Sequence, residues 1–133
     1  MLKTTDSAFT GFIRDELTTL PEAADRIFAT RVAATWEFVR AEGSDYNTCY
    51  DTIRAALIGT FAAHKSLSVQ QTLYAMGDAA LGACRDVKRI RISMPNRHRV
   101  PFDLARLGKE NRNEIFVTTS EPYGAISGEI SRG

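Results

Sequence analysis

The sequence predicts an α+β fold, an antiparallel sheet with two helices packed on one face. Three observations lead there. β-Branched and aromatic residues crowd positions 26–38, apolar residues recur at helical spacing from 46 to 84, and alternating runs resume after 87. Strands, then two helices, then strands suit helices segregated to one side of a sheet. Length agrees with a single domain over residues 1–133. A chain of 14.7 kDa is expected to expose about 6,900 Å² folded against about 21,000 Å² unfolded, enough burial for one core and too little for two.

The elements follow in order. Leu2 to Thr5 is short for a strand, as expected if its first half lay ahead of Met1. Arg26 to Phe38 (RIFATRVAATWEF) alternates loosely and reads as a strand, and residues 43–48 (GSDYNT) break it. Tyr46, Cys49, Tyr50, Ile53, Ala56, Leu57 and Phe61 then predict a helix over about 46–63. A second helix is predicted from Ser68 to Cys84. Ser68 and Gln71 match a capping box, and Val69, Leu73, Met76 and Ala80 form its apolar stripe. Gly77 and Gly82 weaken that helix by ~1 kcal/mol each relative to alanine unless they permit close packing. Strands are expected at 87–94 and 98–104, separated by Pro95-Asn96. A last pair is expected at 114–119 and 124–131 across Glu121-Pro122-Tyr123-Gly124.

Composition excludes several classes of function. Seventeen basic and sixteen acidic residues leave a net charge of +1, which argues against a general polyanion binder. Arg85, Lys88, Arg89, Arg91, Arg97 and Arg99 do cluster, but without interleaved aromatics for base stacking. Ile90, Ile92 and Met94 alternate with Arg89, Arg91 and Ser93, so the cluster reads as the solvated face of a strand rather than a nucleic-acid patch. No apolar run approaches the ~20 residues of a membrane span. Cys49 and Cys84 lack the spacing of a zinc site and sit on apolar helix stripes, so they read as buried, reduced thiols of a cytoplasmic protein.

Familiar catalytic templates are missing: no P-loop, no dinucleotide fingerprint, no H-E-x-x-H, no G-x-S-x-G. His64 and His98 have no partner at metal-ligand spacing. The suggestive features are of another kind. Ser68-Val69-Gln70-Gln71 opens a helix, whose free N–H groups and positive dipole end favour an anion, or it is simply a capped helix. Phe9 and Phe12 flank Gly11 and are either an aromatic plate for a flat ligand or core. Pro95-Asn96-Arg97-His98 puts an amide and an imidazole in a strand break. Arg26, next to Asp25, is a ligand cation or half of a surface ion pair.

Together these segments resemble urate oxidase (uricase). SAFTGFIRDELTTLPEAADRIFAT, SVQQTLY and ISMPNRH occur in the order and spacing of that family's F-x-G-F-x-R-D-x-x-T-T-L-x-E-x-x-D-R, S-V-Q-x-T-x-Y and S-L-P-N-x-H, with Met94 where leucine is usual. The likeness runs through Ala34-Thr35-Trp36 and Pro122-Tyr123-Gly124, and it covers only the C-terminal half of the family. The resemblance implies a T-fold (tunnelling fold) of order β-β-α-α-β-β. It also implies oxidation of urate by dioxygen to 5-hydroxyisourate and hydrogen peroxide, with neither metal nor organic cofactor. By motif position, Phe9 is expected to stack on the purine and Arg26 to grip it with a two-pronged hydrogen bond. Val69 supplies a backbone N–H and Gln70 a side-chain amide. Asn96 is expected to sit above the ring, polarising the dioxygen or water position, and His98 to join the proton relay near it.

The family's lysine–threonine pair belongs to its N-terminal T-fold half, and no segment here resembles that region. The resemblance therefore implies activity only after assembly with such a half, in a tetrameric barrel. A non-catalytic purine-binding or assembly module is the alternative. No nucleic-acid or membrane partner is expected. Ser131-Arg132-Gly133 is not a peroxisomal address, so a bacterial cytoplasmic setting is expected.

Overall fold

A computed structural model describes residues 1–19, 21–40, 42–119 and 124–132. Strands β1 (Leu2–Lys3), β2 (Phe28–Thr30) and β3 (Ala33–Phe38) precede helices α1 (Tyr46–Ala63) and α2 (Val69–Ala83). Strands β4 (Val87–Ser93), β5 (Asn96–Arg97), β6 (Arg99–Pro101), β7 (Phe116–Thr118) and β8 (Ser127–Ser131) follow. The expected order of strands, two helices and strands is present, but the sheet is divided. All pairings among named strands are antiparallel, in the orders β1-β2-β5, β3-β4-β8 and β6-β7.

The division has a local cause. The predicted strand 26–38 breaks at Arg31-Val32, and its two parts take different partners: Thr30 faces Asn96, whereas Ala33 faces Ser93. The intervening residues of the partner are Met94 and Pro95. Proline has no N–H to donate, so the ladder is interrupted there, and one long ribbon becomes two short ones. The predicted strand 98–104 ends early as well. Asp103 accepts a hydrogen bond from the Ala105 N–H (2.9 Å) and opens a 3-10 turn over Ala105–Leu107. Of the predicted turn at 121–124, residues 121–123 lie outside the described residues.

Both helices start where their caps predict. Asp45 caps α1 through the Thr48 N–H (3.1 Å) and hydroxyl (2.7 Å). Ser68 caps α2 through the Gln71 N–H (3.1 Å), while the Gln71 side chain reaches back to the Leu67 N–H (2.8 Å). Cys49, Ile53, Leu57 and Phe61 of α1 are buried against Val69, Leu73, Met76 and Ala80 of α2 and against Ile90 and Ile92 of β4. Tyr46 and Tyr50 remain exposed, although their rings meet Phe38 and Trp36. Of the two helix glycines only Gly77 serves packing: a Cβ there would collide with the Ile130 side chain, whereas one on Gly82 meets open space.

On the other face of β3-β4-β8 the arginines are paired as a solvated strand face should be. Arg89 holds Glu37 and reaches Glu129 (3.5 Å), and Arg91 holds Glu129 (2.9 Å). These pairs raise the pKa of Arg89 and lower those of Glu37 and Glu129.

The cysteines depart from expectation. Cys49 and Cys84 are joined in a disulfide instead of lying as separate thiols. They sit 35 residues apart, and the antiparallel helix pair returns the end of α2 to the start of α1, with Cα atoms 5.8 Å apart. Residue spacing alone carries no trace of that return.

Candidate functional site

The chain before α2 is held against the segment that carries Phe9. Ser66 N–H donates to Asp6 O (2.8 Å), Ala8 N–H to Ser66 O (2.7 Å) and Thr10 N–H to Leu67 O (3.2 Å). On its other side Phe9 exchanges both backbone hydrogen bonds with Ala23 (2.7 and 3.0 Å), which returns the chain to Asp25 and Arg26. Gly11, at φ +69° in the left-handed region, turns the chain so that Phe12 stacks on Phe9, with centroids 4.3 Å apart and planes 16° apart. The SAFTGF aromatics thus form a two-ring stack, partly exposed, rather than core.

Arg26 lies between that stack and the sheet. Its backbone N–H donates to Ser7 O (2.9 Å) and its Nε to Ala8 O (2.8 Å). The guanidinium carbon is 5.0 Å from the Phe28 ring centroid and 6.0 Å from that of Phe9. Nη2 is buried and has no hydrogen-bond partner among the described residues. Burial draws the pKa of the group below its ordinary value, and a guanidinium remains a cation there. The surface-pair alternative fails. Asp25 accepts instead from the Asn113 amide (3.1 Å), and Arg26 turns to the Ala8 carbonyl.

Val69 and Gln70 are the first two residues of α2, directly behind the segment bonded to residues 8 and 10. The Ser68 hydroxyl takes the third N–H of the helix, and the N–H groups of the first two residues have no acceptor within the helix. Val69 is 2% exposed and offers its backbone alone, while Gln70 is exposed and offers its side chain.

Asn96 opens β5 opposite Thr30, and Arg97 pairs with Ala29. Side chains alternate along a strand, so Phe28 and Thr30 project to one face of β2 and Asn96 shares it, while Arg26, two residues before the strand, lies over the Phe28 ring. His98 is exposed one residue beyond β5, with its carbonyl accepting from Arg99 (3.2 Å). The structure brings Arg26 to the Phe9 ring on the face that carries Phe28, and it holds the segment leading into α2 against residues 8 and 10. It puts Asn96 further along the same face and leaves His98 at its rim.

Two grooves lie elsewhere, and none of the six residues lines either. One, of about 280 Å³, lies over the Glu37–Arg89–Glu129 ion pairs; the other, of about 250 Å³, lies between β3 and α1. Among the described residues, no group of three or more His, Cys, Asp and Glu is placed to hold a metal ion.

Some polar groups around this face escaped the sequence reading. The Ser7 and Thr30 hydroxyls are buried without partners among the described residues. Lys3 Nζ donates to the His64 carbonyl, and His64 Nδ1 lies 3.2 Å from Thr72 Oγ1. Burial foremost, then the charge of Lys3, lowers the pKa of His64. The 26/28/30 alternation was a usable signal for Thr30. The other contacts join distant segments and left none.

A family model described as Uricase matches residues 1–127. The chain belongs to the uricase family. It is 42% identical over 132 residues to the uricase of Arthrobacter globiformis, spanning 99% of this chain and 43% of that protein. With the uricase of Oryctolagus cuniculus it shares 36% identity over 137 residues, 99% of this chain and 46% of that one. The crystal structure of the Arthrobacter globiformis uricase superposes with a TM-score of 0.93 at 42% identity, over 99% of this chain and 46% of that chain. A Bacillus sp. TB-90 urate oxidase structure, 23% identical, has the same fold at a TM-score of 0.82. The architecture is thus the α+β T-fold of the uricase family, and the chain spans a little under half the length of the relatives named here.

Proposed function

We propose that this chain supplies the purine-binding and oxygen-facing half of a urate oxidase site. The reaction is urate + O₂ + H₂O → 5-hydroxyisourate + H₂O₂, run without metal or organic cofactor. The observation that carries the reading is the buried Nη2 of Arg26, without a partner among the described residues, on a guanidinium 6.0 Å from the Phe9 ring centroid. A planar anion satisfies both features: its face lies on Phe9, and its acceptors meet the guanidinium fork and the helix N–H groups. Phe9, Arg26, Val69 and Gln70 bind the purine. Asn96 donates to dioxygen, and His98 passes protons at the rim.

None of the six residues is assigned the first proton of urate, and in this reading a second T-fold half supplies that base. The surface supports association. The chain exposes 9104 Å², roughly 2,200 Å² more than the scaling for its mass. β3 and β8 are the open edges of their sheet, and Val100, Phe102, Ile115 and Val117 stand exposed on the β6–β7 ribbon. Partners are the N-terminal T-fold half and further copies in a tetrameric barrel.

A second reading is a purine-binding or assembly module without turnover, favoured by the chain's spanning 43–46% of its relatives. One experiment separates them. The chain, co-refolded with a polypeptide carrying the family's N-terminal half, is assayed for loss of urate absorbance and release of peroxide. Peroxide production supports the oxidase. Binding of 8-azaxanthine without peroxide supports the module.

A further inference from the structure

Three polar atoms are buried without a hydrogen-bond partner among the described residues: Ser7 Oγ, Arg26 Nη2 and Thr30 Oγ1. The Arg26 group meets the purine in the reading above. Thr30 is only 4% exposed, and a hydroxyl left unpaired at such depth opposes folding unless something else retains it.

The ladder says what lies beside it. Thr30 exchanges both backbone hydrogen bonds with Met1 (2.9 and 2.8 Å), and the Asn96 N–H turns away to Gly124 O (3.0 Å). In an antiparallel ladder the N–H and C=O of one residue point to the same neighbour. Thr30 and Asn96, which face each other, are therefore a non-hydrogen-bonded pair. Such pairs bring side chains closest, with Cβ atoms about 4.5–5.5 Å apart and both on the same face. Asn96 is half-buried there, so the register puts the hydroxyl and the carboxamide side by side on that face.

A carboxamide is an acceptor at Oδ1 and a donor at Nδ2, and turning it over exchanges the two. An oxygen molecule acquiring negative charge needs the donor end. We propose that Thr30 is the positioning residue for Asn96: its hydroxyl donates to Asn96 Oδ1 in the ligand-bound site and holds the Nδ2 hydrogens toward dioxygen. This rests on the assignment of Asn96 to the oxygen position.

The test uses the assembled protein carrying Thr30→Val and Thr30→Ser. Valine keeps the shape and β-branching and removes only the hydroxyl. If the hydroxyl positions Asn96, Thr30→Val lowers kcat about tenfold, the effect of one lost orienting hydrogen bond. Affinity for 8-azaxanthine stays within twofold, Tm is unchanged or higher, and Thr30→Ser restores most of kcat. Wild-type kcat in Thr30→Val overturns the proposal. So does a parallel loss of kcat, affinity and Tm that serine does not rescue, since that pattern belongs to packing. A crystal structure of the assembly with 8-azaxanthine separates this inference from the oxidase reading. Thr30 Oγ1 within 3.2 Å of Asn96 Oδ1 upholds it even if urate is not turned over, and side chains turned apart reject it even if the enzyme is active.

Discussion

Replacing Arg26 with lysine retains the charge and removes the fork, so it tests whether geometry or charge holds the ligand. Two losses follow from the structure. Nε no longer donates to Ala8 O, a 2.8 Å bond whose acceptor belongs to a residue 8% exposed. An unsatisfied buried carbonyl costs about 1–3 kcal/mol of stability. Nη2 also disappears, and with it one prong of the grip on the ligand. A hydrogen bond from a charged donor contributes about 1.5–3 kcal/mol, so affinity for 8-azaxanthine should fall roughly tenfold to a hundredfold. Titration calorimetry on the assembled protein reads the affinity, and thermal unfolding reads the stability. Arg31→Lys is the control: Arg31 is exposed, in the gap between β2 and β3, and both quantities should remain at wild type. Unchanged affinity in Arg26→Lys, or equal losses from both variants, would show that Arg26 supports the fold and does not grip a ligand.

Three further outcomes are expected. Gly77→Ala should destabilise by about 1–3 kcal/mol in urea unfolding, because the new Cβ forces Ile130 off β8's contact with α2, whereas Gly82→Ala should stabilise by about 0.5–1 kcal/mol; the opposite ordering would contradict the α2–β8 packing. Reduction of Cys49–Cys84, which closes a loop with a sequence separation of 35, should remove about 4 kcal/mol by loop entropy. Thiol titration of the unfolded, unreduced chain should find no free cysteine, and two free thiols would refute the bond. His64 has its pKa lowered by burial and by Lys3, so the unfolded chain takes up its proton first as pH falls. Its contribution to stability is complete above the ordinary histidine pKa of about 6.5 and declines below it. The fall in Tm from pH 7 to 5 should accordingly be shallower in His64→Gln, and identical slopes would exclude His64 as the source.

Helices were legible because their signals are local. Asp45 and Ser68 bond backbone groups three residues away, and the apolar stripes repeat within one element. The divided sheet was less legible. Pro95 marks a break in its own strand, but its effect on β2 and β3 depends on register, which places Thr30 against Asn96 and Ala33 against Ser93. Register joins residues sixty or more positions apart, and no short window of sequence contains both. The Cys49–Cys84 disulfide was hidden for the same reason: the thiols meet only because α1 and α2 run antiparallel.

The candidate site divides along the same line. Motif spacing pointed to Phe9, Arg26, Val69, Gln70, Asn96 and His98, but it could not say which of them already share one surface. Backbone bonds from Asp6, Ala8 and Thr10 to residues 66 and 67 put Phe9 beside the first turn of α2. The Arg26 side chain is fixed by Ala8 and the Phe28 ring before any ligand arrives, so little ordering is left for binding to impose. His98 has no comparable support and is exposed. In the proposed function a proton relay through it therefore needs neighbours beyond the described residues of this face, whereas the Arg26 guanidinium is already held in place. That asymmetry between a fixed Arg26 and an exposed His98 is what the proposed half-site, completed by a second T-fold, would leave on one chain.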